Sequence, residues 1–279
     1  MQWRLTCNLE VLLPHSLCRF TTANAPANRQ MPIASVVRGN FRKKRMDSKF
    51  VTKEIKSKIQ PLLKENGFQH SSGRTFWRYQ RDRIDILNFQ SFNAYNASVL
   101  GCTTFSFSVN LSVLLNYIPS ETEISEKNGM KTPSESQGHF RSPILKRIAQ
   151  KEFPRQDIWF VDDEGENLSR VFSDCKLQIE TYGLSWFQKF DSKEFVYETL
   201  NESEENMKGT WGFGNKNSPI RNRLLAFTAI ELKKYTIATE KLKLLFEFYS
   251  KEYKTTKYEY YLKKMTEIET QIEQIKNYP

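Results

Sequence analysis

The chain has little of what metal sites and covalent staples are built from. Its 279 residues include only 4 cysteines and 3 histidines. Cys7, Cys18, Cys102 and Cys175 form no CxxC pair, and His15, His70 and His139 lie far from them and from one another. That spacing argues against a zinc site and a disulfide framework, and it fits a reducing cytoplasm. Crosslinks are not needed either, because a chain of this length can bury a sizeable core as one large domain or two modest ones. No apolar run approaches the roughly 20 residues of a membrane span, so no membrane association is expected. Also missing are a Ser/His/Asp constellation and a phosphate loop. The three glycines of Gly209 to Asn217, GTWGFGNKN, follow neither GxGxxG nor the P-loop spacing. No cofactor, metal or catalytic residue is therefore expected.

Acidic residues are scarce only at the N-terminus. The net charge is +10, but residues 1–45 hold eight basic residues and one acid, Glu10, leaving 34 basic and 31 acidic residues for the rest. Beyond the leader the balance is too near neutral for a nucleic-acid footprint. The leader itself ends in FRKKR before Met46. Glu10, Pro14 and His15 break its apolar stretch, which argues against a secretory signal, and Pro14, Pro26 and Pro32 interrupt any long amphipathic helix. The favoured reading is a start at Met46 preceded by an over-extended gene assignment; a disordered basic tail and a targeting peptide are the alternatives.

What is present is a helix followed by strands. Val51, Ile55, Ile59, Leu62 and Leu63 recur at helical spacing, Pro61 predicts a kink, and Gly67 stands where a left-handed cap is wanted. Strands are predicted over Arg74 to Gln80, Ile84 to Phe92, and through FSFSVNLSVLL. In the last, Phe105, Phe107, Val109, Leu111 and Val113 share one face while Ser106, Ser108, Asn110 and Ser112 share the other. One buried and one wet face describe an antiparallel meander covered by helices on one side. Residues 119 to 143 have no period and read as a long loop. DIWFV, from Asp157, suggests an edge strand.

The C-terminal half reads as helical. Leu168, Phe172, Cys175, Ile179 and Tyr182 form a buried stripe that Gly183 is expected to end, and Asp191 with Glu194 suggests a capping box. Ser218-Pro219 opens a helix over about 219 to 234, followed by helices over about 237 to 253 and 255 to 276. The last carries a near-heptad stripe, Leu262, Met265, Ile268, Ile272 and Ile275, which either packs back on the domain or faces a partner helix or its own copy. The fold class is α+β: an N-terminal helix on an antiparallel sheet meander over residues 46–190, then an all-helical region over 191–279.

The runs PLLKENGFQHSSGRTFWR, IDILNFQSF, FSVNLSV and YGLSWFQKF carry a family resemblance. Gly67-Phe68, Arg74-Thr75-Phe76, Asn88-Phe89-Gln90 and Ser91 match short motifs of domain of unknown function 4304, and the chain resembles that family over about residues 50 to 190. The resemblance implies a bacterial cytoplasmic protein and brings no established activity.

Three functional readings arise from the residues. The favoured one is a non-catalytic binding or protein-interaction module, with Asn88, Gln90, Ser108 and Asn110 as a polar ledge lined by Arg74 and Arg78. Its partner would be another protein, or a second copy through the C-terminal helix. Simple solvation is the ordinary reading of such a Ser/Asn face. The second is a metal-dependent nuclease or phosphodiesterase using Asp82 and Asp85. The usual acid and lysine of the next strand are replaced by Asn88 and Gln90. The third is single-stranded nucleic-acid binding with Phe76, Trp77, Arg78 and Tyr79 as a stacking platform, disfavoured by the near-neutral charge.

Overall fold

Apolar residues at helical spacing produce a first helix in three parts: α1 (Ser48–Glu54), a π-helical turn (Ile55–Ile59) and α2 (Gln60–Glu65). The widened turn comes just before Pro61, whose ring supplies no N–H and crowds the carbonyl four residues back. Val51, Ile55, Ile59 and Leu63 are buried along one side. The helix ends at Gly67, which adopts φ +88° while Phe68 N donates to Leu63 O at 2.9 Å and Gly67 N to Lys64 O at 3.1 Å. Those two bonds are the Schellman closure that a side chain at Gly67 would strain. The computed structural model describes residues 48–151, 153–201 and 208–277. The basic leader and the start expected at Met46 lie outside the described residues.

Strands β1 (His70–Ser72), β2 (Thr75–Tyr79), β3 (Arg83–Ser91) and β4 (Phe107–Leu115) form an antiparallel meander. Between β3 and β4 runs a short helix, α3 (Ala94–Leu100), capped by Asn93 Oδ1 accepting from Asn96 N at 2.7 Å. The long loop expected after β4 is ordered structure. It holds a hairpin of β5 (Glu126–Lys127) and β6 (Met130–Lys131), a 3-10 turn (Glu135–Gln137), and β7 (Phe140–Pro143), which completes the five-stranded order β1-β2-β3-β4-β7. Four-residue β7 is too short to show an alternation, which is why its sequence reads as loop. The DIWFV segment contributes a single bridge, Trp159 to Phe107, because only Trp159 reaches the β4 end.

The register of β3 on β4 pairs Leu87 with Leu111 and Phe89 with Val109, so the apolar positions of both strands fall on one face. There they meet the first helix, α4 (Leu168–Gln178) and α5 (Leu184–Gln188) in the main core. Gly183 does not end the stripe of α4. The chain continues through a π-helical turn (Ile179–Gly183) into α5 with Gly183 at φ −60°, where a Cβ would lie 3.0 Å from Ile144 Cδ1. This glycine serves close packing rather than termination.

The second sheet face is wet over only half its length. Trp77, Ile84, Ile86 and Leu114 are buried there beneath the segment after β4. Trp77 Nε1 donates to Pro133 O at 2.8 Å, Tyr79 Oη to Lys131 O at 2.7 Å, and Ser112 Oγ to Glu135 O at 2.8 Å. Backbone carbonyls of the covering segment thus satisfy the polar atoms that alternation placed on that face.

Helices complete the chain: α6 (Lys193–Asn201), α7 (Pro219–Glu231), α8 (Tyr235–Thr256) and α9 (Glu259–Lys276). Ser192, not Asp191, caps α6, its Oγ accepting from Phe195 N at 3.1 Å, because Asp191 is drawn into an ion pair. Ser218 caps α7 as its sequence predicts, accepting from Arg221 N at 3.2 Å. Val196, Leu200, Leu224 and Leu225 join the main core, while α8 and α9 share a second cluster with Ala226 and Ala229 of α7. The protein is α+β, a helix-covered antiparallel sheet followed by a helical region.

His139, just before β7, accepts from Leu115 N at Nδ1 (3.0 Å), a bond that needs an unprotonated nitrogen. Burial, and then the neighbouring Arg223 charge, push its pKa down from 6.5 to about 3. Between those values the unfolded chain binds a proton that the folded chain does not, so stability falls as pH falls. The expected slope is at most about 1.4 kcal/mol per pH unit. Urea unfolding of the protein and of His139→Asn at pH 7, 5.5 and 4.5 checks this; equal losses in both would refute the assignment.

Candidate functional site

Asn88, Gln90, Ser108 and Asn110 share one face of β3 and β4. Asn88 faces Asn110 and Gln90 faces Ser108 across β3 and β4. Asn88 Nδ2 donates to Thr75 Oγ1 at 2.8 Å and Asn110 Nδ2 to Gln90 Oε1 at 2.9 Å, so these amides bond within the sheet. Ser108 and Asn110 are buried and Gln90 is exposed. Arg74 and Arg78 do not line this ledge. Thr75 is the residue opposite Asn88, so its neighbour Arg74 and the alternate Arg78 point to the helix-covered side. There Arg74 Nη2 reaches Thr52 Oγ1 of α1 at 3.4 Å. The same parity dissolves the stacking platform: Phe76 and Trp77 are buried on opposite faces, and the Tyr79 hydroxyl is tied to Lys131.

Asp82 and Asp85 do not share a cleft either. Asp85 is fully buried under the sheet, with Arg78 Nε and Nη2 each 2.8 Å from Oδ2 and Arg83 Nε 2.8 Å from Oδ1. Arg83 Nη2 continues to Asp191 Oδ1 at 2.6 Å, and Arg78 Nη1 donates to Asn66 O at 3.2 Å. Burial pushes the Asp85 carboxyl up, while the guanidiniums of Arg83 and Arg78 pull it down. Both oxygens are occupied by cations, which leaves no position for a metal ion. Asp82 sits on the surface turn, 3.4 Å from Lys193 Nζ, beside a small cavity of about 180 Å³. Among the described residues no three His, Cys, Asp or Glu side chains cluster closely enough to hold a metal.

A concavity lies in the helical region. A groove of about 580 Å³ has α8 as its floor, through Leu242, Leu245 and Tyr249, with Arg223 and Phe227 of α7 on one side and α9 from Lys263 to Gln271 on the other. Pro119, just after β4, also lines it. Of the C-terminal stripe, Ile268 lines this groove. Ile268 and Ile275 are buried against α8, Met265 and Ile272 pack beside them, and Leu262 alone is well exposed, at 45%. Burial pushes the Tyr249 phenol up, with the Glu121 charge adding to it. Arg223 was not among the expected residues. Its signal was an arginine four residues before Phe227 on a helix whose neighbouring positions, Leu224, Leu225 and Ala226, are core.

Residues 59–189 match the model of a family described as Domain of unknown function (DUF4304). The chain carries a DUF4304 domain. No curated protein and no solved structure matches it. The DUF4304 segment holds the sheet, its polar ledge and the Asp85 network, and it contributes Pro119 to the groove. The rest of the groove comes from helices C-terminal to the DUF4304 domain. No helix among the described residues is long and apolar enough to cross a membrane.

If Asp85 is structural, Asp85→Asn should lower unfolding stability by about 3–5 kcal/mol, since it weakens the partner of two buried guanidiniums. Asp82→Asn breaks only a surface pair and should cost less than about 1 kcal/mol. Denaturant titrations of both variants decide; comparable small losses would mean that the Asp85 carboxylate is not what holds the arginines.

Proposed function

We propose that this chain is a non-catalytic binding protein and that the groove between α7, α8 and α9 is its binding site. The observation that carries this reading is the groove itself: at about 580 Å³ it falls in the usual range of ligand sites, roughly 300–1,000 Å³, and its walls are mainly apolar. Leu242, Leu245, Phe227 and Ile268 supply apolar contact, with charged and polar side chains of α7 and α9 set among them. An apolar ligand entering such a site releases ordered water from both surfaces, which supplies the affinity. The charged groups of the walls, Arg223, Lys263, Lys264 and Glu267, include no nucleophile paired with a base, and Lys264 is held by Glu267 at 2.7 Å.

The test uses the neutral fluorophore Nile red with the full chain. Saturable binding with a blue-shifted emission is expected. Thr270 is exposed on the α9 wall, so Thr270→Trp should fill the groove without disturbing the core and reduce binding at least tenfold. Absent or non-saturable binding, or binding indifferent to Thr270→Trp, would overturn the reading.

A further inference from the structure

We infer that the corner where α8 meets α9 is a contact surface for single-stranded nucleic acid, with Tyr258 as the residue on which a base stacks. The inference does not depend on the groove being a binding site. From Lys251 to Lys264 the chain reads KEYKTTKYEYYLKK, in which five lysines and four tyrosines are interleaved with two glutamates. Five positive and two negative charges leave +3 on this stretch, whereas the rest of α9, Met265 to Lys276, carries three glutamates and one lysine. The near-neutral balance of the chain beyond residue 45 hides this segregation, and a bound polyanion responds to the local charge.

Folding leaves both kinds of residue accessible. Lys251, Lys254, Lys257 and Lys263 are exposed and form no ion pair among the described residues, while Lys264 is drawn to Glu267 at 2.7 Å. Lys257, at φ +57°, ends α8 one residue before Tyr258, which opens α9. Tyr258 is 64% exposed, yet its ring is held in place. It lies edge-on to Tyr261 at 6.0 Å, and Tyr261 stacks at 6.0 Å on Tyr249, which is buried in the α8 and α9 cluster. Tyr260 adds a further ring 6.1 Å from Tyr258. A pile of rings rooted in a buried tyrosine and ending in an exposed one presents its last member at little cost in side-chain entropy. Cations flank the pile, with Lys257 Nζ 5.6 Å from the Tyr253 ring centre and Lys264 Nζ 5.6 Å from that of Tyr260. Exposed rings beside unpaired lysines match a single strand, since every base offers a stacking face and every linkage a phosphate. A duplex keeps its bases stacked on one another, and an acidic peptide would use the lysines and leave the rings unfilled.

Fluorescence anisotropy of the full chain with a labelled oligothymidylate tests this. With three or four phosphates engaged, affinity should fall about twentyfold to fiftyfold between roughly 50 and 200 mM salt. Tyr258→Ala should weaken binding at least fivefold, while Tyr258→Phe, which keeps the ring, should bind within twofold of the unaltered chain. Replacing Lys254 and Lys257 together by glutamine should lower affinity and flatten the logarithmic salt slope by about 1.4. Absence of binding, or equal affinity for a duplex of the same length, overturns the inference. So does binding that Tyr258→Ala leaves unchanged, which would assign the attraction to charge alone, the basic leader included. Displacement of the oligothymidylate by poly-glutamate at equal charge would replace the nucleic acid with an acidic protein partner.

Discussion

The Asp85 carboxylate is the centre of a buried ion network that ties the sheet to the first helix and to the entrance of the helical region. Placed by strand alternation on the helix-covered side of β3, it gathers Arg78 from β2 and Arg83 from its own strand. Each arginine then reaches outward, Arg78 to the carbonyl of Asn66 at the end of the first helix and Arg83 to Asp191 at the entrance to α6. Arg78 also lies over the Phe68 and Phe187 rings, 4.9 and 5.4 Å from their centres. A buried ion network of this kind adds modest net stability, because the desolvation of three charges opposes their attraction. Its hydrogen-bond geometry instead fixes how sheet, first helix and C-terminal helices dock.

From that frame the helical region acquires its shape. Arg221 of α7, nearly fully buried, donates from Nε and Nη2 to the carbonyls of Leu200 and Thr199 at 2.7 and 2.9 Å, satisfying the end of α6. With α7 so anchored, its next outward arginine, Arg223, is presented beside α8. The α9 stripe then closes on α8 through Ile268 and Ile275 and leaves a trough whose far wall is Arg223 and Phe227. The DUF4304 domain thus serves as the platform, and the concave surface belongs mainly to the three helices α7, α8 and α9.

Much of the fold is legible in the residues because its signals are local. Periodicity in Val51 to Leu63 and in Phe107 to Val113 reports which side of each element is buried, and Gly67, Asn93 and Ser218 do their capping within a few residues of their own position. Where local signals conflict with packing, the residues mislead. Gly183 carries the composition of a stop but continues the helix, close against Ile144, and the Ser- and Glu-rich stretch after β4 lies over the sheet, where its backbone accepts from Trp77 and Tyr79.

The sequence by itself determined the α+β class, the order of its helices and main strands, and the sidedness of each, since these depend on the spacing of apolar residues along one segment. Tertiary structure alone decided which polar residues meet. Asn88 turns to Thr75 of β2 while Gln90 accepts from Asn110 of β4, Asp85 is claimed by two arginines from a facing and a shared strand, and Arg223 is brought to the edge of a groove whose opposite wall is built by α9 as far along the chain as Gln271. Those meetings depend on the angle at which helices cross and on strand register, quantities set by the shape of whole packed surfaces and not by any one segment.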